Sequence, residues 1–195
     1  MTNNIMTDSE LRKSIIQKRK ALSKEEIEYY SEQVFARLIT LSEYKNARNV
    51  LLYIDYNGEI KTDKIMNHSI NCGKKVFVPL CVDDHQLNFY RINSLSELKT
   101  GHYGILEPVA SADKLFTDKD LENNTICIVP GTVFDINNNR MGYGMGYYDR
   151  FFDKYMIPDR IGLAYRFQIV NTLNVKPTDV KMTKILFPED GEKND

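Results

Sequence analysis

The stretch TICIVPGTVFDINNNRMGYGMGYYDRFF, residues 125–152, carries the pattern that decides the fold. It begins with an apolar run that ends at Pro130-Gly131, which is typical of a fully buried strand. Three glycines at alternate positions follow it: Gly142, Gly144 and Gly146. An aromatic and acidic segment after them favours a helix. The order of strand, turn, glycine run and helix predicts one unit of an α/β layer.

Strands and helices alternate on both sides of this stretch. The first forty residues predict two helices, one in SELRKSIIQKRKAL capped by Asp8 or Ser9, and one that begins with a Ser23-to-Glu26 capping box. A further helix is predicted in TDKIMNHSINCG, capped by Thr62. The other predicted strands are NVLLYID, KKVFVPL, QLNFYRI, RIGLAYR and VKMTKILF. We therefore expect an α/β fold with a largely parallel sheet flanked by helices.

Length and charge limit the classes of function. The chain has 195 residues, with 26 basic and 27 acidic side chains and a net charge of −1. This length predicts a single domain over residues 1–195, with frayed ends at 1–8 and 188–195. The charge balance argues against nucleic acid as a partner. No apolar run approaches the ~20 residues of a membrane helix, and the N-terminus lacks the apolar core of a secretory signal. We expect a cytoplasmic protein, either a monomer or a weak homodimer, with small-molecule partners.

Cysteines and histidines give no metal or disulfide pattern. Cys72, Cys81 and Cys127 are odd in number and contain no C-x-x-C pair, which disfavours a disulfide framework and a structural zinc site. We expect them to be buried free thiols. The histidines at 68, 85 and 102 lack the spacing of metal ligands.

The glycine run matches neither the dinucleotide fingerprint nor the P-loop. It follows a strand and precedes a helix, at a sheet edge where α/β proteins bind ligands. Helix amides and consecutive loop amides suit a phosphate, and Arg140 adds a positive charge. The alternative is a plain turn that needs glycine only for its backbone angles. Asp149, early in the helix, suits either a cap or magnesium beside a nucleotide.

Several ordered motifs resemble those of the 5-formyltetrahydrofolate cyclo-ligase family, also called 5,10-methenyltetrahydrofolate synthetases. The most specific is VPGTVFD…RMGYGMGYYDRFF, and it is supported by LRKSIIQKRKALS, YIDYNGEIKT, VFVPL, GILEP and TDVKMT. The resemblance implies an α/β sandwich similar to certain sugar-phosphate isomerases and coenzyme A transferases. It also implies that ATP drives cyclisation of 5-formyltetrahydrofolate to 5,10-methenyltetrahydrofolate, through a phosphorylated formyl group that N10 attacks.

The resemblance also assigns roles to individual residues. It implies ATP binding by Arg12 and by the run Arg140, Met141, Gly142, Tyr143, Gly144, Met145, Gly146, Tyr147 and Tyr148. It implies folate contacts by Ile54, Glu59, Tyr143, Gly144, Met145, Gly146 and Tyr147. Tyr147 matches the tyrosine near the formyl group and N10, so Tyr147 and Arg140 are the expected catalytic residues. Asp149 and Asp179 match magnesium-linked aspartates.

Two positions depart from the family pattern. Asp8 stands where members often have a lysine, although Lys13 could replace part of the missing charge, and Met145 stands where many members have a lysine or a glycine. Two other functions stay open at this point. One is a sugar-phosphate isomerase or transferase that needs no nucleotide, and the other is a non-catalytic nucleotide- or folate-binding module.

Each assigned residue also has a structural alternative. Arg12 could be a solvated charge on its helix, and Glu59 a surface residue at the end of a turn. Asp179 could cap a short turn after Pro177, and Tyr147 could belong to the core, as Phe151 and Phe152 are expected to do.

Overall fold

The secondary structure follows the predicted alternation. The computed structural model describes residues 6–82, 86–101, 104–121 and 124–189. Its α-helices are α1 (Asp8–Ala21), α2 (Lys24–Leu38), α3 (Ser42–Asn46), α4 (Asp63–Asn71), α5 (Asp118–Leu121) and α6 (Tyr147–Lys154). Its strands are β1 (Asn49–Leu52), β2 (Lys75–Val82), β3 (Gln86–Ile92), β4 (Lys99–Thr100), β5 (Leu106–Glu107), β6 (Thr125–Val129), β7 (Val133–Asp135), β8 (Arg140–Met141), β9 (Asp159–Leu163), β10 (Ile169–Val170) and β11 (Lys184–Leu186).

Six strands form the central sheet in the order β11-β9-β6-β1-β2-β3. All neighbouring pairs are parallel except β2 and β3, which form an antiparallel edge. These are the six strands that the apolar runs predict. The expected α/β class with a largely parallel sheet is therefore confirmed.

Alternate side chains of the central strands pack on opposite faces of the sheet. On β6, Ile126 and Ile128 join the core beneath α2 and α4, while Cys127 and Val129 join the core beneath α6. Both faces are covered, so β6 is buried along its whole length. This is why its sequence is continuously apolar instead of alternating.

The direction of the chain connections reverses between β1 and β6. From β1 the chain passes through α4 to β2 on one side, and from β6 it passes through α6 to β9 on the other side. The segments that leave these adjacent parallel strands diverge and leave a crevice beyond their carboxyl ends. Such a switch point is where open α/β sheets bind their ligands.

A small second sheet, in the order β10-β7-β8, was not predicted. The strand β6 ends at Val129, just before the Pro130-Gly131 turn, as its sequence predicts, and β7 begins after that turn. A Cβ at Gly131 would lie 2.4 Å from the Phe134 ring, so this turn requires glycine. The buried Asp135 carboxylate accepts hydrogen bonds from the backbone amides of Asn137, Asn139 and Leu173 at 2.9–3.0 Å. These contacts fix the hairpin from which the glycine run leaves.

Helix starts agree with the sequence with one exception. The Ser23-to-Glu26 box of α2 is confirmed. The cap of α1 is Thr7, instead of Asp8 or Ser9, because Thr7 completes a capping box with Glu10. Asp8 therefore lies inside α1, and Pro188 is buried. Residues 1–5 and 190–195 lie outside the described part of the chain.

The prediction of free cysteines is confirmed, but the prediction that all three are buried is wrong for two of them. All three cysteines are free, but only Cys127 is buried, whereas Cys72 and Cys81 are exposed. His68 hydrogen bonds through Nδ1 to the Tyr44 hydroxyl at 2.9 Å, and the other two histidines lie outside the described residues. Across the described ranges, the helices are too short or too polar to cross a bilayer.

Candidate active site

The glycine run forms an open loop between β8 and α6. Gly144 has a φ of +98° and Gly146, the N-cap of α6, has a φ of +66°, so both positions favour glycine for backbone reasons. A Cβ at Gly142 would instead lie 2.8 Å from Arg140 Nη1. A need for positive φ therefore explains glycine at positions 144 and 146, but it does not explain Gly142.

The loop presents backbone to solvent at the start of α6. Tyr143, Gly144 and Met145 are exposed, and a Cβ at Gly144 would meet no atom within 4 Å in the described structure. The first N–H groups of a helix lack acceptors within the helix, and the helix dipole favours negative charge there. The loop and the first turn of α6 can therefore accommodate an anion.

An ion pair between Arg140 and Asp149 links the two ends of the loop. Arg140 Nη2 donates to Asp149 Oδ2 at 3.2 Å, and only 6% of the arginine side chain is exposed. The guanidinium also lies 5.3 Å from the centroid of the Tyr148 ring. Burial raises the pKa of the Tyr148 hydroxyl well above its ordinary value. Tyr148 and the buried Met141 pack in apolar clusters, so their side chains support the loop from below.

The two predicted magnesium aspartates lie on neighbouring segments. Val180 N donates to Asp149 Oδ1 at 3.2 Å, which brings Asp179, the preceding residue, next to α6. The Asp179 carboxylate accepts from Lys176 N at 2.8 Å and so closes the turn after Pro177, as its structural alternative predicts. In the parts of the chain that the structure describes, no three histidine, cysteine or acidic side chains gather in a cation-binding cluster.

Helix α1 packs against the glycine loop. Arg12 Nε donates to the Gly142 carbonyl at 3.0 Å, although 130 residues separate the two in sequence. Arg12 is partly buried, so its alternative as a purely solvated charge is wrong. Two turns later on the same helix, Arg19 is 1% exposed and donates to the Tyr143 hydroxyl at the tip of the loop.

Glu59 is buried beside this helix, which overturns its interpretation as a surface residue. The Asn57-Gly58 turn after β1 has positive φ at both residues and directs Glu59 inward, where it is 7% exposed. Its Oε1 accepts from Arg19 Nη1 at 3.2 Å and from the Tyr143 hydroxyl at 3.3 Å. Burial raises the pKa of Glu59 to about 6, against the lowering effect of the Arg19 charge.

Ile54 and Tyr147 lie on either side of the crevice. Ile54 follows β1 and packs, partly buried, against the core on the α4 side. Tyr147 opens α6 and packs, partly buried, against the core on the other side. Its side chain hydrogen bonds with Cys81, and the surrounding protein partly desolvates the thiol of this otherwise exposed residue and raises its pKa. Tyr147 is thus partly a core residue, and its other side faces the crevice of the candidate site.

Two arginines of this region were missed by the sequence interpretation. Arg19 follows Arg12 by seven residues, a spacing that places both on one helix face, and this was an available signal. Arg150 Nη2 donates to the Met145 carbonyl at 2.7 Å and its guanidinium lies 5.7 Å from the Tyr147 ring centroid. It brings a positive charge next to the backbone of Met145. No local sequence signal indicates this contact.

A surface cavity at the opposite end of the sheet is a second place where a ligand could bind. That cavity, of about 630 Å³, lies where β1 and β2 begin and is lined by residues that include Lys45, Arg48 and Lys75. Ligands of parallel sheets collect at the carboxyl ends of the strands, and that is where the glycine loop, Arg12 and Glu59 converge. We therefore place the candidate site at the loop.

The model of the 5-formyltetrahydrofolate cyclo-ligase family matches residues 4–188. The chain belongs to this family. The cyclo-ligase match spans α1, the Glu59 turn, the glycine loop and Asp179, so all elements of the candidate site lie within it. The predicted family, and with it the prediction that the chain is an enzyme, is confirmed.

Individual cyclo-ligase relatives agree over most of their length. The 5-formyltetrahydrofolate cyclo-ligase of Haemophilus influenzae is 31% identical over 161 residues, which cover 80% of this chain and 83% of that protein. The solution structure of Aquifex aeolicus 5,10-methenyltetrahydrofolate synthetase superposes with a TM-score of 0.79 at 32% identity, covering 95% of this chain and 91% of that one. A Mycoplasma pneumoniae 5,10-methenyltetrahydrofolate synthetase has the same fold, with a TM-score of 0.74 at 24% identity, covering 94% of this chain and 100% of that one.

Proposed function

We propose that the chain catalyses the ATP-dependent cyclisation of 5-formyltetrahydrofolate to 5,10-methenyltetrahydrofolate, with release of ADP and phosphate. The observation that carries this proposal is the contact between Glu59 and Tyr143. It joins the turn assigned to the folate with the loop assigned to ATP, beyond the carboxyl ends of β1 and β6. Two substrates bound to these segments would meet at one place.

The chemistry explains why a nucleotide is needed. The oxygen of a formamide is a poor leaving group, so N10 cannot displace it directly. Transfer of the γ-phosphoryl group of ATP to the formyl oxygen gives an iminium phosphate and ADP. N10 then attacks the formyl carbon and loses its proton, and the formyl oxygen departs with the phosphate as the ring closes.

The loop region supplies the groups that a phosphoryl transfer needs. The amides of the glycine loop and of the first turn of α6 would hold phosphate oxygens, with the positive end of the helix dipole beneath them. Arg140, fixed by Asp149, would stabilise the charge that develops during transfer. Arg12 reaches the Gly142 carbonyl and would keep the loop oriented toward the nucleotide.

The opposite side of the crevice would bind the folate. A reduced pterin displays an amino group and a ring N–H as parallel donors, and a carboxylate such as Glu59 accepts both. Ile54 would provide apolar contact to the ring. Tyr147, at the start of α6, would lie beside the formyl group and N10 and orient them for attack.

Magnesium fits this arrangement as a companion of ATP. Each oxygen of Asp149 accepts one hydrogen bond, which leaves further lone pairs for a cation. Asp149 and Asp179 would hold the ion, since magnesium favours one or two carboxylates together with phosphate oxygens. When bound, it would neutralise phosphate charge.

We also propose that residues 1–195 form one domain, similar in architecture to sugar-phosphate isomerases and coenzyme A transferases.

A spectroscopic assay tests the proposal directly. The methenyl product absorbs in the near ultraviolet, so its formation from 5-formyltetrahydrofolate can be followed with ATP, without ATP, and with ATP plus EDTA. We expect product only when ATP and a divalent cation are both present. Substrate labelled with ¹⁸O in the formyl group should transfer the label to phosphate. Equal rates without ATP, or label found in water, would contradict the mechanism.

A further inference from the structure

Arg19 is a buried charge at the junction of the two proposed substrate segments. Its side chain is fully shielded from solvent, and it lies in α1 between the Glu59 turn and the glycine loop. Nη1 donates to Glu59 Oε1 at 3.2 Å and Nη2 donates to the Tyr143 hydroxyl. The Tyr143 hydroxyl in turn donates to the same glutamate oxygen. The three side chains therefore form a closed ring of hydrogen bonds.

Stability by itself does not account for this cluster. Removing a guanidinium and a carboxylate from water is costly, and apolar replacements of such pairs are often neutral or stabilising. Arg19 Nε is also buried without a hydrogen-bond partner among the described residues. A planar guanidinium does, however, fix two partners in one defined geometry, which an ammonium group cannot do.

The cluster spans distant parts of the chain. Arg19 is 40 residues from Glu59 and 124 residues from Tyr143. A Cβ at Gly58, next to Glu59, would lie 3.0 Å from the Arg19 carbonyl, so the turn also packs closely on the helix backbone. Tyr143 itself is 51% exposed, so only its hydroxyl end is tied down.

We propose that Arg19 is a positioning residue that holds the Glu59 carboxylate and the Tyr143 hydroxyl in one fixed arrangement, so that the folate turn and the nucleotide loop form a single binding surface. This inference rests on the proposed function, because Glu59 is taken to accept the donors of the pterin. Arg19 itself does not need to touch either substrate. Its loss should weaken folate binding through the orientation and the charge state of Glu59.

The pH dependence of folate affinity reports the charge state of Glu59, which a purely structural role of Arg19 would not change. The ionisable groups facing Glu59 are Arg19 from α1, Asp55 from its own turn, and the tyrosines Tyr53, Tyr143, Tyr148 and Tyr165 from the surrounding segments. Among them, Arg19 has the largest effect in lowering the pKa of Glu59. Without its charge, Glu59 would be protonated at higher pH, and the loss of folate affinity would begin at higher pH.

Three variants and one control test the proposal. Arg19→Met removes the charge and keeps the bulk, Arg19→Lys keeps the charge without the fork, and Tyr143→Phe removes only the hydroxyl. Lys18→Met, the neighbouring exposed residue on α1, is the matched control. The dissociation constant of 5-formyltetrahydrofolate is measured by titration calorimetry from pH 5.5 to pH 8.5, in the absence of ATP.

We expect Arg19→Met to weaken folate binding at pH 7 by about 10- to 150-fold, the range for lost hydrogen bonds to charged groups. Its affinity should recover partly at pH 8.5, because the midpoint of the pH profile moves upward. Arg19→Lys should keep the wild-type midpoint with a smaller loss, and Lys18→Met should match the wild type. An Arg19→Met protein with unchanged folate affinity and an unchanged midpoint would overturn the proposal, even if its melting temperature fell.

A ligand-free measurement separates this proposal from the proposed function. If the wild type does not bind 5-formyltetrahydrofolate, the proposed function fails. The link between the two segments is then decided by a double-mutant cycle of Arg19→Lys and Tyr143→Phe on the free energy of unfolding. Coupling between the two changes supports the link, and additive effects overturn it.

Discussion

Replacing Asp149 by asparagine tests whether this residue, which pairs with Arg140 beside the glycine loop, also binds a cation. The substitution keeps an oxygen that can accept from Val180 N, now at 3.2 Å, but removes the negative charge that pairs with Arg140. Arg140 then stays 6% exposed without a counter-charge, while its Nε already has no partner among the described residues. The loop should therefore lose its fixed attachment to α6.

The size of the effect follows from the burial of the pair. Breaking a fully buried ion pair costs about 3–5 kcal/mol. The Asp149 side chain is 20% exposed, so we expect the smaller loss of about 1.5–3 kcal/mol that is usual for a hydrogen bond to a charged group. For a chain of this length, each kcal/mol lowers the melting temperature by about 2–4 °C, which gives a decrease of about 3–12 °C.

Thermal unfolding and magnesium titration of the turnover rate together decide the role of Asp149. Asp153→Asn, an exposed aspartate on the same helix, is the matched control and should change neither quantity. We expect Asp149→Asn to melt earlier and also to need more magnesium for half-maximal activity, since a lost carboxylate weakens a hard-cation site. A lower melting temperature with an unchanged magnesium requirement would refute the cation role. An unchanged melting temperature would refute the stabilising role of the ion pair with Arg140.

Four further predictions concern the loop and Glu59. Gly144→Val should weaken ATP binding more than folate binding in titration calorimetry, because a branched residue disfavours a φ of +98°, and equal losses would contradict this. Arg150→Gln should weaken ATP binding and an added Met145→Lys should restore it, because the Arg150 guanidinium lies at the Met145 carbonyl; a double variant no tighter than the single one would argue against this charge. Folate affinity should fall as the pH is lowered through about 6, since protonated Glu59 loses an acceptor. Glu59→Gln should be weaker for folate by about 10- to 150-fold, nearly independent of pH, and hardly changed for ATP; a pH dependence that persists in this variant would assign it to another group.

Much of the fold follows from local sequence patterns. Apolar runs bounded by polar or turn residues predict all six strands of the central sheet, and the Ser23-to-Glu26 box predicts the start of α2. The order of strands and helices predicts the parallel sheet. These features are local because periodicity, caps and turn residues act on neighbours in the chain.

Several elements near the site escaped this kind of prediction. The short strand β7 follows the Pro130-Gly131 turn, at which the Phe134 ring occupies the space beside Gly131. The strands of the second sheet are two or three residues long, too short for a recognisable period. β7 is defined by its pairing with β8 across a hairpin and with the distant β10, and the glycine loop leaves from that hairpin.

The sequence by itself determined the family, the central sheet and the position of the glycine loop, since each depends on residues close together in the chain. Only the tertiary structure decided the environment of the individual groups. Glu59 follows a polar turn that predicts exposure, and it is buried because α1 covers it with Arg19. Arg12 has the pattern of a solvated helix residue, and it meets Gly142 across 130 residues. Burial and charge pairing depend on which distant segments the fold brings into contact, and no local pattern contains that information.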